Sequence, residues 1–477
     1  MKEYLTRIGP CRWELAREAF PGMKVPGLIY GDDYIISRLE KEEALRQVAH
    51  VACLPGIVGY SYAMPDIHWG YGFPIGGVAA FRMEEGIISP GGVGYDISCG
   101  VRLMTSNIDK AEFIPLSEKI TAALFSLIPC GVGSRGVMRL QDRELRKCLL
   151  NGAEWAVRNG YGIPEDLVSI EDGGKMDRAD PDRISIRAME RGRDQLGTLG
   201  SGNHFIEVQL VEEIYDGDLA EGFGLRKGRI AVMIHCGSRG LGHQVCEDNI
   251  RMMNRAMEKY GISVPDRQLC SVPLYSEEAE HYMAAMNAAA NYALANRQVI
   301  GSRVRDVFRR YIPGSVLDLL YDVSHNMAHV EEHMVKGRRT KVCVHRKGAT
   351  RALPPGHEAL SGKYRKSGQP VLIPGSMGTS SYVLAGTSLA AEECFSSTCH
   401  GAGRIMSRHE AKRSVRGEDV RKELGARGIH VMAESNRTLS EENPQAYKDV
   451  DRVVSVVAEA GISIKVACLR PLAVVKG

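Results

Sequence analysis

Several histidines in this chain open or close strand-like runs, each beside glycine, asparagine or serine. His204 lies in Ser201-Gly202-Asn203-His204-Phe205-Ile206-Glu207, and His235 in Ile234-His235-Cys236-Gly237-Ser238-Arg239-Gly240. Asp96 and Cys99 stand three apart in Gly94-Tyr95-Asp96-Ile97-Ser98-Cys99-Gly100. His325 lies in Asp322-Val323-Ser324-His325-Asn326, read as the start of a helix. Glycine and small polar neighbours let a ligand approach the backbone closely. Imidazole and carboxylate suit Mn, Zn or Fe, and a thiolate can bridge two cations. One such histidine alone is a satisfied structural residue, and one such cysteine a small buried one. Their joint occurrence points instead to a metal site built from distant parts of one fold. His329 and His333 follow His325 at four-residue spacing, which on a helix is one face. With Glu331 and Glu332 beside them they read as a partly solvated polar face, and only His325 as a ligand.

His400, in His400-Gly401-Ala402-Gly403-Arg404, has three chemical options: metal ligand, general base or nucleophile. A ring nitrogen can carry a phosphoryl group covalently while nearby cations hold the leaving group. Small neighbours and Arg404 suit that third role, but spacing alone does not choose. Two basic clusters could meet phosphates. Residues 336–351, KGRRTKVCVHRKGATR, hold seven Lys/Arg and no acid, and alternation about Val342 and Val344 places them along a strand. Arg404, Arg408, Lys412, Arg413 and Arg416 form the second. Both are expected to meet phosphates in a salt-dependent way. The loop from Gly375 to Ser381 carries Ser376 and Ser381 and is rich in backbone and hydroxyl donors. No Walker motif and no glycine-rich dinucleotide fingerprint is present, so a nucleotide site here is not a common one.

The elements that must position these groups alternate irregularly. Helix is expected over 41–50, over 117–159 with a break at Pro129–Gly133, over 243–261 and 275–311 as long amphipathic helices, and through much of 385–460. Strands are expected at Phe205–Leu210, Arg229–Ile234, Thr340–His345, Val371–Ile373 and the apolar C-terminus. The glycine-rich stretch 61–105 reads as loops and short strands. Mixed strands and helices without a regular β-α period make the fold α+β. No Pro/Ser-rich linker divides the 477 residues, so residues 1–477 are read as a single large domain. Net charge is only +3, which by itself announces no polyanion partner. The first residues lack a signal-peptide core and no run spans a membrane. Twelve scattered cysteines with no Cys-x-x-Cys pair suit a reduced, cytoplasmic setting.

Taken in order, Met64-Pro65-Asp66-Ile67-His68-Trp69-Gly70, the Asp96/Cys99 turn, Gly202–Glu207, His235–Gly240, Ser324-His325-Asn326, Pro374–Gly378 and His400–Arg404 resemble the signature blocks of the RtcB family of tRNA-splicing RNA ligases. The resemblance runs to the terminal Lys476-Gly477. It implies the unusual RtcB-type α+β fold. It implies a ligase dependent on GTP and two Mn²⁺ ions, joining RNA that ends in a 2′,3′-cyclic phosphate or 3′-phosphate to RNA with a 5′-hydroxyl. His400 resembles the histidine that takes up GMP, with Asp66 orienting it and Arg404 beside it. Cys99 resembles the bridging thiolate, with Asp96 and His204 on one metal and His235 and His325 on the other. Asn203 resembles the residue beside the nucleotide phosphates; Glu207, Ser376, Ser381, Tyr447 and Lys476 resemble the nucleotide-binding set. The partners implied are RNA, GTP and archease as an activator. Two rivals stand beside this reading. A two-metal phosphodiesterase or phosphatase on RNA ends explains the metal ligands but leaves His400 without a purpose. A non-catalytic RNA-binding factor predicts that Cys99 is dispensable.

Overall fold

A computed structural model of the chain describes residues 1–39, 43–131, 133–136 and 138–477. Two sheets organise it. The first runs, edge to edge, through strands Leu5–Gly9, Arg12–Leu15, Gly27–Tyr30, Ile57–His68, Ile75–Arg82, Arg338–Lys347 and Asn326–Val335. The second runs through Leu317–Ser324, Gly100–Asp109, Arg229–Cys236, Phe205–Ile214, Ser463–Lys476, Ser381–Gly386 and Pro370–Ile373, with His430–Ala433 added beside the C-terminal strand. Nearly all neighbours are antiparallel, and helices lie outside any β-α-β repeat, so the fold is α+β. The strand expectations at 205–210, 229–234, 340–345 and 371–373 hold, as does the apolar C-terminal strand.

Register explains why distant residues meet. Gly100 pairs with both Cys236 and Ser324, Phe205 pairs with His235, and Lys476 pairs with Phe205. Neighbouring strands lie about 4.8 Å apart. One end of the second sheet therefore gathers the Asp96–Cys99 turn, His204, His235, Ser324 and Lys476. His325 is the residue between Ser324, which ends a strand of the second sheet, and Asn326, which begins one of the first. From the first sheet, the Ile57–His68 strand delivers Asp66 to the same place. A short ribbon of Ala349–Arg351 with Ser397–Cys399 leads directly into His400.

Several sequence expectations are corrected. His325, His329 and His333 lie on no helix; residues 326–335 are a strand. A spacing of four is even, so it also puts two residues on one face of a strand. Nor are His329 and His333 solvated. Both are buried, at 3.3 Å from Asp172 and 2.8 Å from Glu331 respectively. The stretch 61–105 contains long strands rather than short ones, because their apolar side chains are buried on both faces. The basic run 336–351 splits in two. Arg346 and Arg351 are buried and pair with Glu331, Glu171 and Asp172, so that half tracks no phosphate; Arg338 and Arg339 stay exposed. The segment 385–460 also holds two strands, Ser397–Cys399 and His430–Ala433. Helix Glu43–Ala52 matches its expectation, whose first two residues lie outside the described ones. The break between helices Ser117–Leu127 and Asp142–Arg158 is present; within it residue 132 also lies outside them.

The Glu277–Tyr311 helix, expected to be amphipathic, is buried on every side from Ala288 to Ser302. Its alanines allow close approach of neighbouring elements, and Asn291, Asn296, Arg297 and Gln298 are all hydrogen-bonded. Arg297 and Arg102 share the buried carboxylate of Asp322, with Nε–O distances of 2.9 and 2.7 Å. All three are essentially without solvent contact. Removing the carboxylate leaves two guanidinium groups uncompensated in the interior, a loss of roughly 3–5 kcal/mol. Asp322→Ala is therefore expected to lower the unfolding midpoint steeply in a denaturant or thermal melt. Breaking the exposed Arg309–Asp306 pair is expected to change it little.

Candidate metal centre and nucleotide cavity

Two triads of metal-ligating atoms meet at the strand ends. Asp96, Cys99 and His204 form one, Cys99, His235 and His325 the other, and within each set the atoms lie within 4.8 Å of one another. Cys99 belongs to both. Its Sγ lies 3.5 Å from His204 Nε2 and 3.3 Å from His235 Nε2. His204 Nε2 is 2.9 Å from Asp96 Oδ2, and the Nε2 atoms of His235 and His325 are 3.3 Å apart. His204 Nδ1 donates to the Leu199 carbonyl at 2.9 Å, which leaves its Nε2 lone pair facing the cluster. Burial, reinforced by neighbouring histidine charges, pushes His235 and His325 well below the ordinary histidine value. Neutral imidazole is the ligating form. Burial first, and Asp96 second, push the Cys99 thiol up to about 12. A thiol in such surroundings gives up its proton to a bound cation. The donor set of one shared sulfur, three imidazoles and a carboxylate thus fits two divalent ions.

Cys236, next to His235, is turned the other way by strand alternation. Its Sγ faces the Thr198 and Leu199 carbonyls and Asn296, and it packs rather than joins either triad. All twelve cysteines are unpaired. A third set, Glu171, Asp172 and His329, also has ligand-type atoms within reach of one another. There the Arg351 guanidinium already supplies the cation, at 2.8 Å from Glu171 and 2.7 Å from Asp172.

His400 adjoins the triads. Its ring centroid is 4.8 Å from that of His325. Asp66, fully buried, reaches it from the other side: Nδ1 is 2.6 Å from Asp66 Oδ2, close though off the line of an ideal hydrogen bond. The same oxygen accepts from the backbone N–H of His400 at 2.9 Å and of Gly401 at 3.2 Å. Burial alone would raise the Asp66 carboxyl, but the His400 charge and these donors outweigh it and hold it below its ordinary value. A carboxylate fixed on Nδ1 leaves Nε2 as the reactive nitrogen. Gly403 has φ +74°, and a Cβ there would meet the Asp66 carbonyl at 2.3 Å, so the close approach of the two segments demands glycine.

A cavity opens over His400, lined by His68, Asn203, Phe205, Ser376, Arg404, Tyr447 and Lys476 among others. Of the nucleotide-set residues read from sequence, Asn203, Ser376, Tyr447 and Lys476 face it, with Asn203 exposed at its rim. Glu207 and Ser381 do not line it. They are buried in the sheet behind it, bridged by Gln209, whose Nε2 donates to Glu207 at 2.8 Å and to Ser381 at 3.0 Å. Glu207 is two residues on from Phe205 and so shares its strand face. Burial raises Glu207 to about 7, against the opposing pull of Gln209 and Lys476. Arg404 is at the cavity but engaged: it donates to Glu442 at 3.2 Å, Tyr447 Oη at 3.1 Å, and the carbonyls of Glu441 and Met406.

Sequence reasoning missed Glu442, which is buried and gathers Arg404, Arg408, Lys476 and the Tyr447 hydroxyl. Nothing in the polar run around it sets it apart from Glu441. It also missed His68, whose Nδ1 donates to the Asp66 carbonyl at 2.9 Å, leaving Nε2 toward the cavity.

The family pattern described as "tRNA-splicing ligase RtcB" matches residues 47–477. Similar over its length is the "tRNA-splicing ligase RtcB" of Thermococcus kodakarensis, 54% identical over 477 residues, covering 99% of each chain. That of Archaeoglobus fulgidus is 52% identical over 481 residues and covers 100% of both. An "RNA-splicing ligase RtcB" of Mycobacterium bovis is 54% identical over 434 residues, 90% of this chain and 100% of its own. With the match spanning all but the first 46 residues, this chain belongs to the RtcB family.

Proposed function

We propose that this protein is a cytoplasmic RNA ligase of tRNA splicing or RNA repair. It joins a 3′-phosphate or 2′,3′-cyclic phosphate end to a 5′-hydroxyl end, using GTP and two Mn²⁺ ions, with archease as an activator. The observation that carries this reading is the placing of His400. Its Nδ1 is held on Asp66, its ring lies against His325 of one ligand triad, and it forms the floor of the nucleotide cavity.

Asp96, Cys99 and His204 would hold one ion, and Cys99, His235 and His325 the other. Bound there, they supply charge neutralisation for phosphate and favour in-line geometry. The chain's own residues do the rest. His400 Nε2 attacks the α-phosphorus of GTP; the P–N bond forms, the bond to the β-phosphate oxygen breaks, and pyrophosphate leaves. Asp66 stabilises the positive ring that results. A 2′,3′-cyclic end is first opened by water, the P–O2′ bond breaking to leave a 3′-phosphate. An oxygen of the 3′-phosphate then attacks the same phosphorus, the P–N bond breaks, and His400 is regenerated. The 5′-hydroxyl attacks the activated RNA phosphorus and expels GMP, so the splice phosphate comes from the RNA. Arg404 acts by holding Glu442 and Tyr447 in place. A phosphodiesterase reading leaves the Asp66–His400 pair without a task.

Two experiments test these roles. With α-labelled GTP, His400→Ala is expected to take up no label and to join no RNA, yet to bind Mn²⁺ and ligate RNA already ending in 3′-phosphate-GMP. Cys99→Ala removes the atom shared by both triads. It is expected to lose bound metal, measured by elemental analysis, and to fail on the activated RNA as well, whereas Cys236→Ala keeps its metal. An inert His400→Ala beside an active Cys99→Ala on activated RNA would reverse both assignments.

Glu207 gives a pH signature. Glu207 lies behind the cavity surface, on the strand face of the lining Phe205. A guanine edge that reaches past this ring meets an ionised carboxylate that accepts from N1–H and the 2-amino group, a pair adenine does not offer. The free protein holds Glu207 at about 7. The nucleotide takes the ionised form, so affinity is full above that pH and is lost as pH falls through it. Equilibrium binding of a non-hydrolysable GTP analogue is expected to weaken by up to about tenfold per pH unit below 7. Glu207→Gln is expected to flatten that dependence and narrow the gap between guanine and adenine nucleotides. A pH-independent affinity in the parent protein would remove Glu207 from the guanine contact.

A further inference from the structure

Trp69 is 62% exposed, although it directly follows His68 at the wall of the nucleotide cavity. It sits on no loose loop. Buried Gln47 clamps the next turn, accepting from Gly70 N at 3.0 Å and donating to the carbonyls of Gly70 and Gly72. Gln268 accepts from Gly72 N at 2.9 Å. Gly72 has φ +73°, and a Cβ there would meet the Gln268 carbonyl at 2.6 Å. A large apolar ring is thus held in solvent by a stapled turn, at a cost that a bound ligand would offset.

A further aromatic pair follows in sequence. Tyr71, two residues on, packs edge-to-face with Tyr95 at 5.3 Å, and Tyr95 lies 6.0 Å from His243. Tyr95 immediately precedes Asp96 of the first triad. Lys347, itself buried, hydrogen-bonds the Tyr71 carbonyl and braces this pair. Trp69 is left as the exposed ring beside the cavity wall. Single-stranded nucleic acid is bound on such exposed flat rings, because every base has a π-face.

Building on the ligase reading above, we infer that Trp69 is the stacking platform for an unpaired base of the RNA strand next to a reacting end. A protein partner is the less fitting occupant, because anything seated on Trp69 lies beside His68 at the cavity wall, where the RNA end must react.

The test uses the full chain with Mn²⁺ and two single-stranded probes, one ending in 3′-phosphate and one beginning with 5′-hydroxyl. Of the three tryptophans, Trp155 is buried and Trp13 half-buried, so Trp69 dominates any quench by ligand. One probe is expected to quench tryptophan emission, which identifies the strand, and Trp69→Phe is expected to abolish that quench. In ligation, Trp69→Ala is expected to raise KM for the same strand about five- to a hundred-fold, and Trp69→Phe far less. Replacing the stacked nucleotide with an abasic one is expected to erase the difference between parent and Trp69→Ala, which a merely structural role would not do. An unchanged melting temperature serves as the fold control. No quench by either RNA, as a protein-docking site would give, overturns the inference. So does an equal KM rise on abasic RNA. If the parent protein itself joins no RNA, the ligase reading falls first; if it ligates and Trp69 variants match it, only this inference falls.

Discussion

The Arg297 guanidinium is the interaction on which the candidate metal centre rests. It donates through Nη1 to the Ser98 carbonyl at 2.7 Å and to the Cys236 carbonyl at 3.0 Å. Those carbonyls belong to the residues adjoining Cys99 and His235. The same group pairs with Asp322 in the strand that ends beside His325. One side chain on the central helix thus ties together the three segments that carry the second triad. Two further residues of that helix help. Asn296 donates to the Thr198 and Gly237 carbonyls, and Gln298 joins Arg102 to Asp166. A cluster of thiol, carboxylate and imidazoles has no affinity for itself, and in the absence of a cation its members would drift apart. Rigid backbone anchors beneath them keep the separations near 3 Å and the site preorganised.

That support was not legible in the sequence, while the cluster above it was. Asp96, Cys99, His204 and His235 stand out because ligand-type residues beside glycine at strand ends serve few other purposes. The flanking strands were legible from their apolar β-branched runs. His325 was assigned correctly to the cluster but to the wrong element, because a four-residue histidine repeat fits a helix face and a strand face equally well. The choice between them lies in partners more than a hundred residues away: His329 meets Asp172, and Arg351 meets Glu171. The same distant carboxylates turned half of the basic run inward. A sequence shows that Lys and Arg cluster, but not whether buried acids await them. Glu442 escaped for the complementary reason, since only tertiary packing distinguishes it from its neighbour.

The cavity over His400 has two unlike walls. On the wall formed by the C-terminal region, cations are already committed. Arg404 makes four hydrogen bonds to the protein, and Lys476 lies 3.9 Å from Glu442. Burial lowers the Lys476 ammonium from its ordinary value in spite of Glu442 and Glu207. A wall so balanced offers shape and hydrogen-bond pattern more than charge. The ligand-type atoms of the two triads lie on the opposite side. His400 stands between these walls, with its ring against His325 and its Nδ1 on Asp66. The two sheets meet at this seam, so the hydrogen-bonding wall and the wall of ligand-type atoms are brought to one histidine by the fold itself.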